Sequence, residues 1–423
     1  MSSESSEIIV PGRADFIAAK PTPCLIRAAH WCSKTIVGVL GISGVDYDQG
    51  ELERFRALAG ERVLLTPNHP TNTDPALVFH LSAQVNQSFQ YLACREAFDT
   101  CLGLWGHVIK RIGAHSVVRG TADRASFRAT RELLAQPAAK LVIFPEGEVY
   151  SQNDTLLPFH DGVFQLAFWA LEDARKADDM ANLFIQPVAL KYKFTSDMRL
   201  PILFSLARLE QFTGSPIPHT ASTYERLRGV GLAMLRSLEK EYRLPSPKDK
   251  DDDLESDFTP RLDAIKEAIL QRVALAVGIP DPRGETLPER MRTLIHAIEI
   301  VTRDEPDSST KTPYDTELRR LQRERARPLL RDLDRIANWI AVYDGYVRED
   351  PTPERLFDLL VRLERECFGR SLLTGPRRAR VALPEPINLS DRLAAYKAAR
   401  RAEIRAVAKE AEKRIFTELR AGG

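Results

Sequence analysis

His69 and Asp74 lie five positions apart in Asn68-His69-Pro70-Thr71-Asn72-Thr73-Asp74, and an imidazole beside a carboxylate is a pairing that can make a general base. On a continuous helix that offset would set the two side chains roughly 140° apart around the axis, too far to meet. Pro70 and Pro75 predict instead a turn leaving a strand, and such a turn can fold the carboxylate back onto the ring. An aspartate accepting from one ring nitrogen fixes the tautomer and leaves the other nitrogen to take a proton from a substrate hydroxyl. The segment holds no side-chain nucleophile, and the chain has no Gly-x-Ser-x-Gly elbow. Direct attack by a bound substrate therefore fits better than a covalent intermediate. Taken alone, His69 also fits a purely structural role.

Phe144-Pro145-Glu146-Gly147 follows an apolar run, and the carboxyl ends of strands are where α/β sheets place ligands. Glu146 could accept hydrogen bonds from a polyol or orient a neighbouring loop, and Gly147 permits close backbone approach. The same residues also fit an ordinary turn. In Gly113-Ala114-His115-Ser116-Val117-Val118-Arg119-Gly120, the Arg119 guanidinium could clamp a phosphate through two parallel hydrogen bonds, or be a surface arginine after a strand. His80, His107, His115 and His160 form no metal-ligand spacing, and Cys94 with Cys101 lacks the close pairing of a zinc site. No metal and no cofactor are expected, and glycine-rich nucleotide-binding loops are absent.

The elements that must position these residues alternate between residues 62 and 192. Val63–Leu65, Leu141–Phe144 and Phe184–Leu190 read as buried strands. Ala76–Ser82, Asp123–Leu134 and Val163–Arg175 have helical spacing. The expected class is α/β, a mixed sheet flanked by helices. After about Leu200 long charged helices predominate, with Arg261–Val277, Leu287–Val301, Thr316–Val347 and Pro353–Phe368 predicted to form a bundle. Arg380–Ile387 reads as a strand and turn, followed by a basic helix over Asp391–Leu419. The expected organisation is a flexible N-terminus (1–20), a catalytic domain (21–203), a helical insertion (204–376) and a strand and basic helix returning to the first domain (377–423).

With 43% apolar and 28% charged residues and a net charge of +1, a packed globular protein is expected, and no global field favours nucleic acid. Five cysteines and the lack of a secretory signal point to reduced thiols and a cytoplasmic location. The apolar run Thr35–Val45 falls far short of the ~20 residues that span a bilayer. Leu25–Lys34 mixes Trp31 and aliphatic residues with Arg27, His30 and Lys34, which suits either a helix in a membrane interface or one packed on the core. The basic face of the last helix is either merely solvated or a contact for anionic phosphates.

The order of the segments carries a resemblance. Asn-His-x4-Asp, Gly-x5-Arg, Phe-Pro-Glu-Gly and Gln186-Pro187-Val188-Ala189, with Leu157-Pro158-Phe159-His160-Asp161-Gly162 between the last two, resemble the ordered blocks of the lysophosphatidate and glycerol-phosphate acyltransferase family. This resemblance runs over residues 63–192. It implies acyl transfer from acyl-CoA or acyl carrier protein to the hydroxyl of a lysophospholipid such as 1-acylglycerol-3-phosphate, in phospholipid biosynthesis, at the inner face of the membrane. It implies His69 and Asp74 as the catalytic dyad, Arg119, Pro145, Glu146 and Gly147 as acceptor-binding residues, and Pro187 as the mark of the fourth block. Two departures stand out. Thr71 occupies a position where serine is common, and Glu148-Val149-Tyr150 stands where the family usually continues Thr-Arg-Ser, so a basic group is missing. The alternatives are a non-catalytic membrane-associated scaffold of the same fold and a hydrolase using water.

Overall fold

The computed structural model describes residues 16–118, 123–215, 217–218, 220–245, 258–280, 287–302, 313–339 and 351–421. Two compact units divide them, one running to Ser196 and resuming at Pro376, the other spanning Asp197–Gly375.

In the first unit the described strands are β1 (Ile42–Tyr47), β2 (Arg62–Pro67), β3 (Gln90–Cys94), β4 (Ala114–Val117), β5 (Lys140–Val142), β6 (Leu183–Phe194), β7 (Arg377–Ala382) and β8 (Ile387–Asn388). They form one mixed sheet in the order β1-β7-β6-β2-β5-β3-β4, with β8 on β6. Every pairing is parallel except those of β6 with β7 and β8. The helices are α1 (Pro23–Trp31), α2 (Ser33–Val39), α3 (Gln49–Ala57), α4 (Asp74–Gln84), α5 (Leu104–Arg111), α6 (Arg124–Ala135) and α7 (Asp161–Ala177). This is the α/β class expected from the sequence.

The six residues of β2 are all buried because helices cover both faces of a largely parallel sheet. Its side chains alternate. Leu64 joins Leu141, Ile185 and Phe168 of α7 in one core, while Val63 and Leu65 join Val78 of α4 and Val142 in the other. The strand read at Leu141–Phe144 is β5, whose pairing continues as Ile143 N–H donates to the Leu65 carbonyl (3.0 Å). It stops before Pro145, which has no N–H to give. The apolar run Thr35–Val45 divides instead of forming one element. Gly41 takes φ +82° between α2 and β1, a conformation that glycine adopts without the steric cost of a side chain. Among the described residues no helix is long and apolar enough to cross a membrane.

The second unit is helical: α8 (Arg199–Thr213), α9 (Thr223–Glu241), α10 (Thr259–Val277), α11 (Leu287–Thr302), α12 (Pro313–Trp339) and α13 (Pro353–Phe368). Leu235, Ile265, Leu294 and Leu333, from four successive helices, share its core. Arg226 clamps Glu210 (2.7 and 2.9 Å) and Arg261 clamps Glu239 (2.6 and 2.8 Å), so charges buried between helices are paired. The remainder of the expected helix Thr316–Val347, beyond Trp339, lies outside the described residues.

The chain returns to the first unit through β7 and β8 and ends in α14 (Leu393–Ala398) and α15 (Arg400–Ala421). The expected single helix over Asp391–Leu419 is therefore broken, at Ala399, whose φ of −147° is non-helical. Two basic side chains of α15 are ion-paired, Arg405 with Asp161 (3.2 Å) and Arg414 with Glu410.

Candidate active site

Parallel order puts the carboxyl ends of β2 and β5 side by side, so the segment after β2 and the turn after β5 meet at one edge of the sheet. Asn68, fully buried, leads the chain off β2. Its amide imitates a strand residue, donating to the Leu190 carbonyl (3.0 Å) while its oxygen accepts from Leu190 N–H (2.7 Å). Next comes His69, then a turn, then Asp74 as the first residue of α4. A helix N-terminus favours a carboxylate there.

His69 Nδ1 lies 2.8 Å from Asp74 Oδ2. The Asp74 side chain is 0% exposed and that of His69 15%. An ionised carboxylate only accepts, so Nδ1 carries the proton and Nε2 keeps a lone pair. The ring stacks on Phe144 at 4.1 Å between centroids, which fixes its plane. Asp74 is held in turn by the Thr71 N–H on Oδ2 (2.8 Å), the Thr71 hydroxyl at Oδ1 (2.8 Å) and the Tyr192 phenol, which donates to Oδ1. Thr71 thus supplies the hydroxyl that a serine would.

Glu146 is 1% exposed. Its Oε1 accepts from His69 N–H (2.9 Å) and its Oε2 from Leu157 N–H (2.7 Å), tying the turn after β5 to the dyad and to the loop leading into α7. Burial pushes this carboxyl well up, against the lowering effect of the two N–H donors. Pro145 accepts from His160 N–H (2.9 Å), and Gly147 takes φ +69° as its N–H donates to the Phe144 carbonyl (3.1 Å), a turn that suits glycine. In the divergent Glu148-Val149-Tyr150 stretch, Tyr150 is buried. Its N–H donates to the His69 carbonyl (3.4 Å) and its phenol to the Thr155 carbonyl (2.7 Å).

The structure therefore brings His69, Asp74 and Glu146 together, with Pro145 and Gly147 in the adjoining turn. Arg119 lies outside the described residues. Lys191, a second cation in the matching segments, on β6, donates to the Leu419 carbonyl of α15. Sequence reading missed Tyr192, Tyr150 and Asn153, whose amide brackets Tyr192 by accepting from its N–H (2.6 Å) and donating to its carbonyl (2.5 Å). One signal for Tyr192 existed: strand alternation turns it inward with Leu190, and a buried phenol needs a partner.

Residues 49–191 match the model of the family described as Acyltransferase, about a third of the chain, and no curated protein compared with the chain matches it. The matched segment runs from α3 into β6 and contains His69, Asp74 and Glu146. This match supports acyl transfer as the general activity.

Proposed function

We propose that the protein transfers a fatty acyl group from a thioester, acyl-CoA or acyl carrier protein, to the hydroxyl of a lysophospholipid such as 1-acylglycerol-3-phosphate. The observation that carries this reading is the contact between His69 Nδ1 and the fully buried Asp74 (2.8 Å), inside the segment that matches the family. In the reaction His69 Nε2 removes the acceptor hydroxyl proton as the oxygen attacks the thioester carbonyl. Collapse of the tetrahedral intermediate breaks the carbon–sulfur bond, and the imidazolium returns its proton to the departing thiolate. Asp74 keeps the ring in the productive tautomer and offsets its transient charge.

Glu146 acts through the main chain it holds, by fixing His69 N–H and the loop at Leu157. The acceptor head group is assigned to Arg119 and to the Pro145–Gly147 turn. No metal or cofactor takes part in the proposed steps. Peripheral attachment to the membrane fits an exposed apolar surface on two linked segments. Trp31 (92% exposed), Ile36 and Val39 project from α1 and α2, and Leu104, Trp105 and Val108 from α5. The segment entering α1 is tied to the end of α5 by Thr22 N–H to the Arg111 carbonyl (2.8 Å). Exposed tryptophans beside aliphatic side chains suit the boundary between head groups and acyl chains.

Purified protein given acyl-CoA and lysophosphatidate is expected to release free thiol only when both are present. His69→Ala should lower that rate by about 10²- to 10⁴-fold. An unchanged rate removes His69 from the chemistry. Thiol release without acceptor, with free fatty acid as product, would instead make the protein a hydrolase. Liposome binding without turnover over a panel of donors and acceptors would make it a scaffold.

A further inference from the structure

We propose that Tyr192 is a positioning residue for the dyad, its phenol fixing the Asp74 carboxylate and drawing charge from it; this rests on the general-base reading of His69. Tyr192 is contributed by β6, 118 residues from Asp74 in sequence, and the family match stops one residue before it, at 191.

Of the oxygens around the phenol, the Asp74 carboxylate is the strongest acceptor for its proton. Tyr192 is 2% exposed, so its hydroxyl must find a partner inside the protein. It donates to Asp74 Oδ1, while Thr71 Oγ1 stands 3.1 Å from the phenol oxygen and gives its own proton to the same carboxylate oxygen. The backbone of Tyr192 is clamped on both sides by Asn153, and the Arg377 guanidinium lies over its ring at 5.1 Å. Burial and the nearby Asp74 charge push the phenol's ionisation well up, so it remains a donor throughout the working pH range.

The two carboxylate oxygens of Asp74 thus have separate duties. Oδ2 serves His69 Nδ1 and Thr71 N–H, and Oδ1 serves the Tyr192 and Thr71 hydroxyls. A donor on Oδ1 stops the carboxylate from rotating and makes it less basic. The proton of Nδ1 then stays on the ring and Nε2 stays aimed at the acceptor. With its phenol buried, Tyr192 affects the chemical step and leaves substrate binding alone.

Tyr192→Phe removes the donor and keeps the ring. It should lower kcat about tenfold with KM unchanged, and move the acid limb of the kcat/KM profile to higher pH, because a more basic carboxylate favours the imidazolium. The low-field proton resonance of His69 Nδ1–H, identified by its loss in His69→Gln, should shift downfield. 3-Fluorotyrosine incorporated at position 192 strengthens the donor, and should shift both the pH limb and the resonance the opposite way in a fully packed core. An Nδ1–H resonance and pH profile unchanged in both proteins would overturn the proposal, as would a loss confined to KM. Wild-type protein that acylates no acceptor would sink the proposed reaction instead, and the Nδ1–H resonance would still decide whether Tyr192 acts on the dyad.

Discussion

Asp74 accepts from His69, Thr71 and Tyr192 at once, so exchanging it for an amide disturbs every partner. Asp74→Asn presents an NH2 group to donors that need an acceptor and frees His69 to take the wrong tautomer. Its kcat should fall about 10³-fold or more while folding is retained, as single-turnover rates and circular dichroism would register. Glu146→Gln tests a different role. Its amide NH2 would face either His69 N–H or Leu157 N–H, leaving that donor unpaired, and urea unfolding should reveal a loss of about 1–3 kcal/mol. The pairing of His69 with Asp74 was readable because Pro70 and Pro75 argue for a turn rather than one continuous helix, and its role as a dyad because of the ordered segments that resemble the family's. Tyr192 was not, because only folding brings it to Asp74. The meaning of Glu146 was half legible: of the two roles its position allowed, the observed bonds satisfy the orientation of a neighbouring loop.

At the level of elements, β2, β5 and β6 stood out because each holds consecutive apolar residues, as strands covered on both faces do. β1, β3 and β4 did not. β3 and β4 are short and mix polar with apolar residues, so neither a run nor a period marks them as strands, and β1 lay half inside an apolar run shared with α2. The helix that supplies part of the exposed apolar surface depends on a glycine. A Cβ on Gly106 of α5 would lie 2.1 Å from the Phe98 carbonyl oxygen, a backbone atom that no rotamer change can move. Gly106→Ala should therefore displace α5 and destabilise the protein by about 1–3 kcal/mol in thermal or urea unfolding. If α5 contributes to membrane attachment, the same variant should sediment less with vesicles of phosphatidylethanolamine and phosphatidylglycerol. Unaltered stability would show that the close approach of α5 to Phe98 is not required.

Across the whole molecule, burial makes stability depend on mild acid. His115 of β4 is buried with its Nε2 3.0 Å from the Thr130 hydroxyl, and burial pushes it down to about 4. A histidine whose folded-state pKa lies below the unfolded value of 6.5 is stabilising while neutral. That contribution is complete above about pH 6.5 and is lost as pH falls toward 4, on the order of 3 kcal/mol in all. His30 and His80 are lowered in the same direction by burial. The thermal midpoint should therefore drop between pH 7 and pH 5, and His115→Gln, which retains a partner for Thr130, should flatten that slope. Two units of distinct character, a mixed sheet and a helical bundle, were foreshadowed by the change from alternating apolar runs to long charged helices. The acceptor's identity was not, because Val149 stands where a basic group is usual after the Glu-Gly turn. The most direct test of acyl transfer by the dyad is mass spectrometry of lipids formed from acyl-CoA and 1-acylglycerol-3-phosphate by wild-type, His69→Ala and Asp74→Asn proteins. The diacylated product should accumulate with the wild type and be nearly absent with both variants, whereas equal product from all three would contradict the account.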